Sequence, residues 1–161
     1  MTEMFGGTNL KLAEPLLELQ QIFYSYVGKD IGSVQDGELL QFLGTKIQRE
    51  MPDFLANDFR RRLLRTTYVQ HSSLITNDDC RPHNYPYLKA LDFRFVEVRG
   101  PQRFRPDHTA VDPKHDVEWQ PGAIKPDYVL ENAGGLAEYA ESIRSLMEVT
   151  LGVRKMLRAS D

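Results

Sequence analysis

The sequence predicts an α+β domain that is mainly α: a bundle of about four helices, a small antiparallel sheet and a long Pro-rich irregular segment. Three observations carry this. Apolar residues recur at helical spacing towards both ends of the chain. Seven of the nine prolines lie between Pro82 and Pro126, where they interrupt regular structure. A stretch ending at Gly100-Pro101 alternates apolar and polar residues as a strand does. At 161 residues, a single domain 1–161 is the expectation. Its helical part is 1–75, the short strands and Pro-rich segment are 76–130, and a long C-terminal helix lies in 131–161.

In chain order, Leu12, Leu16, Leu19, Phe23 and Val27 share one helical face, with Gly28 as the stop. Ser33 with Asp36 three residues later resembles a capping box ahead of Leu39, Leu40, Phe42, Leu43 and Ile47. Pro52 and Asp53 open a third helix with Leu55, Phe59, Leu63 and Val69 inward, although Thr66–Val69 also suits a strand. Leu91–Arg99 reads as a strand with a phase slip at Phe95-Val96, and Asp116–Trp119 and Asp127–Leu130 as short partners. After Gly134-Gly135, the stripe Leu136, Tyr139, Ile143, Leu146, Met147, Thr150, Val153 and Leu157 predicts a helix from Leu136 to Arg158.

A net charge of −3 argues against a global polyanion binder, while leaving room for a local basic patch. The single Cys80 excludes an internal disulfide, so the chain fits a reducing compartment or is indifferent to redox. The N-terminus has no basic region followed by an apolar run, and no apolar stretch approaches the roughly 20 residues that span a bilayer. The expectation is a soluble, cytoplasmic protein with no membrane partner. There is no phosphate-binding loop and no Gly-x-Ser-x-Gly elbow, and Asn77-Asp78-Asp79 lacks the spacing of a calcium loop. No cofactor is expected.

Four groups of residues carry candidate chemistry. His108, Asp112, His115 and Asp116, with Asp107 and Glu118 nearby, offer imidazole and carboxylate ligands for a divalent ion, but their spacing matches no zinc pattern. A turn-rich loop is the preferred reading there, with no metal. Arg60, Arg61 and Arg65 fall on one arc of the third helix with Tyr68 beside them, a face suited to an acidic protein surface or to phosphates and a base. Arg103, Phe104, Arg105 and Trp119 belong to the types enriched at interface hot spots, and the prolines flanking the first three lower the entropy lost on docking.

The last group is Arg65 and His71, with five residues between them. The spacing resembles the arginine-to-histidine motif of HEPN-type ribonucleases, which are helical bundles that usually act as dimers. Arg103 and His108, with four residues between them, also fit the motif. The resemblance implies that Arg65 contacts phosphate or the transition state and that His71 serves as acid or base in attack through the RNA 2′-hydroxyl.

Together these features lead to a non-enzymatic subunit of a larger assembly, a homo-oligomer included, that contacts other protein subunits through the central segment and the arginine face. The alternative is an RNA-binding protein or a HEPN-like ribonuclease using Arg65 and His71.

Overall fold

This computed structural model describes residues 5–72, 74–100 and 123–150, which are mainly helical with two small parallel sheets. The chain divides into two compact units, one built on Gly6–Cys80 and the other on the residues from Arg81.

In the first unit, strand β1 (Thr8–Asn9) is followed by helices α1 (Glu14–Tyr26), α2 (Gly37–Glu50) and α3 (Phe54–Tyr68), and then by strand β2 (Ile75–Thr76). Pro15 sits in the first turn of α1, where its missing N–H costs nothing. The helix ends as expected at Gly28, which adopts φ +73°. The Gly28 N–H donates to the Ser25 carbonyl and the Lys29 N–H to the Tyr24 carbonyl, closing a Schellman turn.

α1 has no side-chain cap from its own flank. The Asp79 carboxylate supplies it from the far end of the unit, accepting the N–H groups of Leu12 at 2.9 Å and Ala13 at 2.8 Å. The Asn77 amide holds that segment in place by donating to the Leu10 carbonyl at 2.8 Å.

The α1–α2 corner is locked by buried Gln20. Its amide nitrogen donates to the Val34 carbonyl at 3.0 Å, and its oxygen accepts the Asp36 N–H at 2.7 Å. Ser33 is not the cap of α2. Asp36 is, with its Oδ1 accepting the Leu39 N–H at 3.0 Å and its Oδ2 accepting the Tyr24 hydroxyl. α3 continues to Tyr68, so the Thr66–Val69 stretch is helical almost throughout rather than a strand. The buried residues of the unit include Leu10, Leu12, Pro15, Leu16, Gln20, Ile47, Phe59 and Thr66.

The second unit begins with a 3-10 turn (Pro82–Asn84) running into α4 (Tyr85–Ala90), then β3 (Val96–Arg99), β4 (Tyr128–Glu131) and α5 (Leu136–Ser145). Pro82 and Pro86 start these short helices instead of breaking structure, because each occupies a first-turn position. The turn that ends α4 takes up the start of the predicted strand. Leu91 and Asp92 close it, with Asp92 at φ +63°, and only Val96–Arg99 pairs.

The sheets are parallel, not antiparallel. Thr8 faces Ile75 and Asn9 faces Thr76, while Val96–Arg99 runs in register with Tyr128–Glu131. The physical reason is the connection. Helices α1 to α3 lie between β1 and β2, and residues 100–127 lie between β3 and β4. Returns of that length permit a crossover, whereas antiparallel neighbours are usually joined by tight turns. The predicted strand Asp116–Trp119 and the Pro-rich residues 101–122 lie outside the described residues.

Asp127 anchors β4 before it begins. Its Oδ2 accepts the Phe95 N–H at 2.8 Å and its Oδ1 meets Lys89 Nζ at 2.7 Å. Tyr85 and Phe95 meet edge to face at 4.6 Å. α5 starts with the Gly135 N–H donating to the Glu138 carboxylate at 3.0 Å and widens into a π-helical turn over Leu146–Thr150. The remainder of the helix predicted to Arg158 lies outside the described residues. Leu88, Phe95, Leu130, Ile143, Leu146 and Met147 are buried.

Candidate functional site

The period of α3 separates two faces. Buried Phe59 and Thr66 lie on one side with half-buried Leu55, Arg62 and Leu63. Arg61, Leu64, Arg65 and Tyr68 recur at i, i+3, i+4 and i+7 on the other, with Arg60 at the edge. All five of these are exposed, Tyr68 to 71%.

The inward side is fastened by ions as well as by packing. Asp58 Oδ2 meets Arg62 Nε at 2.6 Å, and Arg62 Nη2 donates to the Lys11 carbonyl at 2.8 Å. The Arg62 guanidinium also lies 5.8 Å from the Phe59 ring centre. Burial pushes the Asp58 carboxyl up, but its bonds to Arg62 and Arg61 outweigh that and hold it below its ordinary value. Arg62 is therefore a strut of the fold. The predicted face does not include it.

Arg61 shares the other Asp58 oxygen while remaining largely exposed. Arg60 and Arg65 have no ion-pair or hydrogen-bond partner for their side chains among the described residues. A guanidinium is always charged and offers five donors in a planar fork, so these two present unspent donor capacity to solvent. Beside them, exposed Leu64 and Tyr68 supply apolar surface. The face combines fixed positive charge, directional donors and a ring edge.

The structure puts Arg60, Arg61, Arg65 and Tyr68 on one face, as the spacing predicts. It separates Arg65 from His71 by the end of the helix. Arg65 lies in the last turn, where its carbonyl accepts the N–H groups of Val69 and Gln70. His71 follows at φ +53°, and its side chain is exposed. Arg103, Phe104, Arg105 and Trp119 lie outside the described residues, as do the metal candidates His108, Asp112, His115 and Asp116. Among the described residues no group of three or more His, Cys, Asp or Glu is arranged to hold a metal ion. None of the described helices is long and apolar enough to cross a membrane.

Two features escaped the sequence pattern. Leu64 adjoins Leu63 in a run of apolar and basic residues, and only the helix phase assigns it to the outer face. Val69, read as an inward residue, is 69% exposed because α3 ends at Tyr68. No protein-family model, curated protein or solved structure matches the chain.

Proposed function

We propose that this protein is a non-enzymatic interaction subunit whose α3 face docks on an acidic surface of another protein. The observation that carries this reading is the stripe Arg61, Leu64, Arg65 and Tyr68, exposed while the opposite side of the same helix is tied down by Phe59 and the Asp58–Arg62 pair. Arg and Tyr are the residue types that dominate interface energetics, and a helix held rigidly from behind loses little entropy when its outer face docks. The overall acidic charge of the chain disfavours a polyanion as the general partner, which leaves a local match to carboxylates.

The test is a photo-reactive residue at exposed Thr67, cross-linked in the native cell extract and read by mass spectrometry. Defined partner proteins are expected in the wild type. Replacing Arg65 by Glu and Tyr68 by Ala should remove them, by at least about tenfold in yield for a loss of two hot-spot side chains. Recovery of RNA instead, with steep salt dependence, would refute this reading. RNA cleavage that His71→Ala abolishes would refute it too.

A further inference from the structure

α1 carries apolar residues on two adjoining faces, and only one is covered. Leu16 and Gln20 are buried, whereas Leu19, Ile22, Phe23, Tyr26 and Val27 are exposed, Ile22 to 64% and Tyr26 to 91%. Leu19, Ile22, Phe23 and Tyr26 stand at i, i+3, i+4 and i+7, the spacing of a helix–helix seam. Beside them Gln21, Ile22, Ser25 and Tyr26 line a shallow depression. No charged residue occurs between Leu19 and Gly28.

We infer that this face pairs with a second copy of itself, with the two α1 helices antiparallel about a two-fold axis near Ile22 and Phe23. The proposal is independent of the α3 face. Charge placement selects the partner. The apolar stripe is bounded by Glu18 on its N-terminal side and Lys29 on its C-terminal side. Glu18 has no ion-pair partner among the described residues. Lys29 Nζ lies 5.2 Å from the Tyr24 ring centre, while neighbouring Asp30 already accepts the Gly32 N–H at 2.8 Å.

Antiparallel pairing brings Glu18 of each copy towards Lys29 of the other and Leu19 towards Tyr26. A parallel arrangement would set like charges together at both ends. Such a patch is complementary to itself, which is what a two-fold interface requires.

The area suffices. At about 200 Å² for a fully exposed large side chain, the five residues offer roughly 600 Å² per copy, and two copies exceed the roughly 1,000 Å² that separates specific interfaces from chance contacts. The uncharged centre with charges confined to the rim is the composition of a homodimer interface.

Sedimentation of the full chain tests this. The wild type is expected to be a dimer at tens of micromolar. Ile22→Glu with Tyr26→Glu should give a monomer with unchanged circular dichroism, since both side chains are already exposed. Glu18→Lys and Lys29→Glu should each weaken the dimer several-fold, and the two together should restore it. A wild-type monomer at that concentration overturns the proposal, even if another protein is found on this face. So does a dimer insensitive to the Ile22 and Tyr26 changes, or a double swap no tighter than the single ones.

Discussion

Asp36 concentrates the chemistry of the first unit in one side chain. It caps α2 through the Leu39 N–H, takes the Tyr24 hydroxyl, and is itself fixed by Gln20 through its backbone. The Tyr24 bond, and after it the Leu39 N–H, hold its carboxyl below the ordinary value against the opposing effect of burial. Tyr24 moves the other way, raised chiefly by the same bond. A carboxyl depressed in the folded state contributes stability that is complete above the unfolded value of about 4 and disappears as pH falls through the folded one. Asp36→Asn keeps a competent cap but does not titrate. The wild type should therefore unfold at a higher temperature than the variant at about pH 6, and the gap should narrow by about pH 3. A gap that stays constant across that range would remove Asp36 from the acid response. In the sequence, Asp36 stands out as part of a capping signal, but the pattern puts the cap at Ser33. Its deciding partners, Gln20 and Tyr24, lie a loop away, beyond any local pattern.

Among the elements, the three long helices of the first unit were legible, as were parts of β3 and β4, whereas β1, β2 and the short α4 were not. Helices α1 to α3 run 13 to 15 residues, long enough for apolar spacing and end signals to reinforce one another. β1 and β2 have two residues each, which gives no alternation to detect. The strand pair depends on Gly7. A Cβ there would lie 2.7 Å from the Leu74 carbonyl oxygen, the same oxygen that accepts the Thr8 N–H at 2.8 Å. Because the obstacle is backbone, Gly7→Ala should force β2 away from β1 and cost about 1–3 kcal/mol. Hydrogen exchange at Thr8 and Leu10 reports it directly, and unchanged protection of both amides would show that the strands absorb the methyl group. Of the apolar stripe read along α1, Leu16, Leu19 and Phe23 fall within the helix and Leu12 and Val27 flank it, and the five are not covered alike. Leu12 and Leu16 are buried, while Leu19, Phe23 and Val27 are not. Periodicity reports which residues share a face, not whether anything covers it.

At the scale of the whole molecule, buried and exposed residues lie on opposite sides of α3, and the proposed docking uses only the exposed side. Phe59 is fully buried, so Phe59→Ala should cost about 3–5 kcal/mol in denaturant unfolding. Tyr68→Ala, on the exposed face, should stay within about 0.5 kcal/mol. Comparable losses from both would mean that Tyr68 belongs to the fold rather than to a surface for docking. Side-chain type and helix phase made the inward and outward placement of Phe59 and Tyr68 readable from the sequence. The parallel pairing was not readable, because it joins residues far apart in the chain.

The capping of α1 by Asp79 has a consequence for synthesis. The carboxylate that satisfies Leu12 and Ala13 lies 67 and 66 residues downstream. At roughly 5–20 residues per second, a ribosome extrudes α1 several seconds before its cap exists. Through that interval the Leu12 and Ala13 amides have only water, while Glu14, Leu16 and Leu17 already bond to carbonyls of the same turn. The nascent chain fixes the entry to its first helix only when the last residues of the unit arrive.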